Sequence, residues 1–138
     1  MAFECGVLGH SAGQSPRGAL TELLHHLQSA DAHVSYGDIK EGEGWAAARF
    51  KVSRPTDPDL EQYVQVSIGG EILEIYLEDA RAALGSKTVR DKNLMLTTIL
   101  SGETDPVINR HIIFYALAEW HGIPWDETSG FTRSEPAG

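Results

Sequence analysis

Residues 62–77, QYVQVSIGGEILEIYL, decide how this chain is read. Two runs of alternating character flank Gly69-Gly70, a pair suited to the positive φ of a two-residue hairpin turn. With Ile68 opposite Glu71, Val66 meets Leu73 and Val64 meets Ile75 on one face. The other face pairs Ser67 with Ile72, Gln65 with Glu74 and Tyr63 with Tyr76. Apolar partners meet apolar partners, as a half-buried antiparallel sheet requires. The stretch is predicted to be a β-hairpin.

Working upstream, a second hairpin is predicted from His33 to Ser53. Ala46, Ala48, Phe50 and Val52 alternate with Trp45, Ala47, Arg49 and Lys51, after a Gly-rich acidic turn at Glu41-Gly42-Glu43-Gly44. Two prolines and two aspartates make residues 54–59 a loop. The runs together predict a four-stranded antiparallel meander. Before them, Pro16 to Ala30 reads as a helix: Ser15 suits the N-cap and Pro16 the first helical position. Leu20, Leu23, Leu24 and Leu27 then form one apolar stripe. Residues 1–14 are expected to be a flexible segment.

Downstream, short helices are predicted at Glu78–Leu84, stopped by Gly85, and at Val89–Leu100, stopped near Gly102. A last helix starts at Pro106, capped by Thr104 or Asp105, and closes at His121-Gly122. Its centre, Ile112 to Ala118, is apolar on nearly every side, as in a helix buried between other elements. Residues 123–138 read as an extended or disordered tail. The fold class is α+β, one domain over residues 1–138, with an N-terminal helix and two to three C-terminal helices packed on the sheet.

Composition narrows the function. The chain has 138 residues and a formal charge of −9, from 20 acidic against 11 basic side chains. No Lys/Arg cluster is present to neutralise phosphates, so direct binding to nucleic acid or an anionic membrane is not expected. Such a surface steers basic partners inward. Cys5 is the single cysteine, which excludes an intrachain disulfide and fits a reducing compartment. With no secretory signal pattern and no long apolar run, a cytoplasmic location is expected.

Gly9-His10-Ser11-Ala12-Gly13 matches G-x-S-x-G, the nucleophile elbow of esterases. The surroundings disagree. Only eight residues precede Gly9, the next helix starts at Pro16 rather than at once, and the rest reads as antiparallel sheet without βαβ crossovers. The pentapeptide is read as a loop, and no catalytic residue is assigned. His25 and His26 point about 100° apart on a helix, and His111 and His121 fall on different faces of theirs. Neither pair makes a metal site, and no metal or cofactor is expected. Glu71, Glu74 and Glu78 alternate with Leu73, Ile75 and Leu77 and read as a solvated face.

What remains is a surface. The outer face of the predicted sheet gathers Trp45, Arg49, Tyr63, Glu74 and Tyr76, with Lys51, Gln65 and Ile72. Aromatic residues and arginine are enriched at binding hot spots. The expected function is a non-catalytic, acidic protein-binding module of inhibitor, immunity, chaperone or adaptor type that engages a basic protein. The alternative is a small enzyme or ligand-binding domain with a pocket between sheet and apolar C-terminal helix, lined by His111, Tyr115 and Glu119. A homodimer is compatible with both.

Overall fold

The structure, a computed structural model, describes residues 3–56, 58–100, 105–126 and 130. In chain order these form β1 (Phe3–Gly9), α1 (Pro16–Ala30), β2 (Val34–Tyr36), β3 (Lys40–Gly42), β4 (Trp45–Val52), β5 (Leu60–Ile68), α2 (Glu71–Leu84), α3 (Ser86–Val89), β6 (Leu94–Leu100), α4 (Pro106–Glu119) and β7 (Ile123–Asp126). The class is α+β. The strands make one antiparallel sheet in the order β2-β4-β5-β6-β1-β7, with β3 beside β2 on the same edge of β4.

Helix α1 follows its sequence signals. Ser15 Oγ accepts from the Gly18 N–H, Pro16 opens the helix, and Ala19, Leu20, Leu23, Leu24 and Leu27 are buried. They pack with Ala46, Ala48, Phe50, Val52, Val64 and Val66 from β4 and β5. Each leucine buried there contributes about 1.5–3 kcal/mol. Helix α4 lies on the same sheet face, its Ile108, Ile112 and Ala116 buried in that core. Asp105 caps it by accepting from the N–H groups of Val107 and Ile108, and Thr104 lies outside the described residues. Arg54 fastens this layer: its guanidinium pairs with Asp31 at the end of α1 and, at 2.6 Å, with Asp105.

The second predicted hairpin is present: β2 and β3 run antiparallel to β4, turning through Glu43 and Gly44. The first is not. Residues 62–68 are strand, as read, but residues 71–77 begin helix α2. The Glu71–Leu77 run looks alternating only while it is short. Continued to Ala80, it places Leu73, Leu77 and Ala80 on one helical face, and those are the residues of α2 that are buried. Gly69 and Gly70 do take positive φ, 74° and 95°, but they launch a helix rather than reverse a strand. The four-stranded meander is therefore replaced by seven strands among the described residues.

Two further expectations change for one reason. Residues 94–100, predicted within a helix, are β6, and residues 3–9, expected to be flexible, are β1. These strands pair with each other in the middle of the sheet, where both faces are covered. Leu94 and Leu96 face α1 and α4 while Met95 faces α2, so the period-2 signal vanishes into a continuous apolar run. Gly6 belongs to the same crowding. A Cβ there would stand 1.8 Å from the Leu96 carbonyl oxygen and 2.9 Å from Trp125 Cζ2. Residues 123–126, expected to be tail, pair with β1 as strand β7, and most of the remaining predicted tail lies outside the described residues.

Candidate functional site

Helix α2 covers only part of the sheet's second face. Leu73, Leu77 and Ala80 pack with Leu8, Met95, Trp125 and Val89, over β6, β1 and β7. The β4–β5 part of that face carries Trp45, Ala47 and Arg49 opposite Ser67, Gln65 and Tyr63. Among the described residues no helix lies over this area, which is the candidate site.

Its polar groups are ordered along the strands. Arg49 stands directly opposite Tyr63, with its guanidinium carbon 5.7 Å from the ring centroid, within cation–π range. The Tyr63 hydroxyl donates to Gln65 Oε1 at 2.6 Å, and Gln65 Nε2 donates to Ser67 Oγ at 3.2 Å. Partial burial raises the Tyr63 phenol above its ordinary value, and the positive charge of Arg49 opposes that rise. The phenol is thus a neutral donor through the physiological range.

Trp45 stands at the centre, with 36% of its surface exposed. Its indole lies across Gly42, its antiparallel partner on β3, where a Cβ would come within 2.3 Å of the indole nitrogen. A glycine at 42 therefore gives the ring its seat. On one side of Trp45 a hollow of about 440 Å³ is lined by Asp38, Lys40, Arg49 and Tyr63. It opens beside a bulge: between the β2–β4 and β3–β4 ladders, Gly37 to Ile39 stand opposite only Ala48 and Arg49. On the other side, a hollow of about 530 Å³ lies between Trp45 and the first turn of α2.

Of the five residues predicted for the surface, Trp45, Arg49 and Tyr63 come together here. Glu74 and Tyr76 do not join them on the sheet, because residues 71–84 are helical. Glu74 is exposed in the first turn of α2, and the Tyr76 ring packs 4.9 Å from Trp125. Sequence reasoning missed Glu43, Met95 and the placement of Glu71 beside Trp45. Glu43 was within reach, being two residues before Trp45 in a tight turn; Met95 was hidden by the helical reading of its strand.

The alternative site is arranged differently from its prediction. Ile108, Ile112 and Ala116 of α4 are packed into the core with Val7, Leu94 and Leu96. His111 and Tyr115 instead face α1: the His26 ring is 4.9 Å from Tyr115 and 6.4 Å from His111. Burial, with Glu119 and Glu22 nearby, pushes the Tyr115 phenol up to about 12. Among the described residues no group of three His, Cys, Asp or Glu side chains is placed to hold a metal ion. No described helix is long and apolar enough to cross a membrane.

The serine of the G-x-S-x-G match is a turn residue. Ser11 is buried, its hydroxyl accepts from the Gln14 N–H, and its backbone exchanges two hydrogen bonds with the Asn93 side chain. The adjacent His10 ring is bonded to the Asp91 carbonyl oxygen at 2.7 Å. Compared with models of protein families, with curated proteins and with solved structures, the chain matches none.

Proposed function

We propose that this chain is a non-catalytic, acidic protein-binding module, of inhibitor, immunity, chaperone or adaptor type, that engages a basic protein through the uncovered β4–β5 face. The observation that carries the reading is the half-exposed Trp45, seated on Gly42 and flanked by two hollows beside the ordered Arg49–Tyr63–Gln65 row. A rigid aromatic on a strand loses little entropy on binding, and such residues dominate hot spots. Arg49 and Gln65 add directional hydrogen bonding around it. The charge of −9 speeds approach of a basic partner and makes the encounter salt-sensitive.

The test is capture from host lysate by the tagged chain at low and high salt, with the Trp45→Ala chain alongside. The expected result is one stoichiometric basic protein, retained best at low salt and lost with the variant while its circular dichroism is unchanged. Capture indifferent to Trp45, or no partner at either salt, would contradict the proposal.

A further inference from the structure

We propose that the hollow between Trp45 and the first turn of α2 receives a lysine or arginine side chain of the partner, an inference that rests on the protein-binding reading above. The hollow is lined by Trp45, Ile72 and Met95, together with Glu43 and Glu71. Among the described residues no lysine or arginine lines it. The neighbouring hollow across Trp45 contains Lys40 and Arg49 and has no such polarity.

These parts suit a cation on an aliphatic stem. A lysine or arginine side chain lays its methylenes along apolar surface and keeps its charged head at a polar margin. Here the stem meets Ile72 and Met95, and the head is drawn to Trp45, Glu43 and Glu71, combining cation–π attraction with ion pairing. The apolar lining explains an otherwise costly feature: Ile72 is 59% exposed at the start of α2. One effect opposes the cation. Gly70, the N-cap of α2, offers no side-chain acceptor, so the helix presents roughly half a positive charge here. The two full negative charges of Glu43 and Glu71 outweigh it.

The full chain, labelled with ¹⁵N, is titrated with N-acetyl, C-amidated hexalysine, hexa-arginine and hexaglutamine. The two cationic peptides are expected to give saturable, salt-sensitive shifts centred on Gly44, the Trp45 indole N–H, Ser67, Gly69 and Ile72, and hexaglutamine none. The Glu43→Gln/Glu71→Gln double variant is expected to bind on the order of ten-fold more weakly, about three-fold for each exposed ion pair lost. Shifts scattered over all acidic side chains, equal shifts with hexaglutamine, or unchanged affinity in the double variant would overturn the inference. Lysate capture separates the two levels. Capture lost with Trp45→Ala but indifferent to Glu43→Gln/Glu71→Gln removes the cation hollow and keeps the protein-binding reading. Absence of any captured protein, with hexalysine still bound at the hollow, removes that reading and leaves the cation site.

Discussion

Trp45, Gly6 and Cys5 show how differently single residues contribute. Trp45 is 36% exposed and rests on Gly42, so Trp45→Ala removes part-buried surface as well as the exposed edge. Its unfolding free energy is expected to fall by about 2 kcal/mol, with a further loss of about 2 kcal/mol or more in partner binding, the size of a hot-spot truncation. Denaturant melts and binding calorimetry on the folded variant check the two effects separately. Gly6 is the opposite case. Its Cβ position is occupied by the Leu96 carbonyl and the Trp125 ring, so Gly6→Ala forces β1 away from its neighbours. A loss of about 3 kcal/mol, at the upper end of the range for overpacking, is expected in the same melts. Cys5 is buried, and burial, with Asp126 adding to it, pushes its thiol up to about 11. At pH 8 roughly one molecule in a thousand carries the thiolate. Iodoacetamide is therefore expected to leave Cys5 unmodified in the folded chain and to alkylate it in denaturant, as mass spectrometry reads directly.

At the scale of elements, legibility follows environment. Helix α1 is legible with its observed bounds because cap, proline and leucine stripe agree; β4, and β5 from Gln62 rather than from its start at Leu60, are legible because one face of each is apolar and the other is largely polar. Helix α2 was misread because seven residues fit both periods, and the deciding Ala80 lies beyond them. Strands β1 and β6 escaped because central strands lose alternation when both faces are covered. For the site, the same rule holds: Trp45, Arg49 and Tyr63 were found on legible strands, while Glu74 and Tyr76 were placed by the misread one. The joint between α1, the β4–β5 loop and α4 carries a pH prediction. The Asp31 carboxyl is held below its ordinary 3.8, first by the His33 backbone N–H and then, against the opposing effect of burial, by the His33 side chain and Arg54. A depressed carboxylate stabilises the fold above its unfolded pKa and loses that contribution as pH falls through the folded value. Asp31→Asn is thus expected to be less stable near neutrality and to lose less stability than the native chain as pH drops below 3.8. Thermal melts across that window check the crossover; parallel curves would contradict it.

Across the whole molecule, the sheet has one face closed by α1 and α4 and a second only partly closed by α2. The closed face supplies the fold with its main core, and among the described residues no helix lies over the β4–β5 half of the other face. That division is what makes a tryptophan, an arginine and a tyrosine tolerable side by side at the surface. Charge is divided too: residues 31–85, which contain the open face, hold −6 of the −9. The most direct test of a partner surface is hydrogen–deuterium exchange of the chain alone and with its captured protein. Protection is expected in β4, in β5 and in residues 69–73, with the outward sides of α1 and α4 unchanged. Protection confined to α1 and α4, around His26, His111 and Tyr115, would contradict the account and move the site to the other side of the sheet.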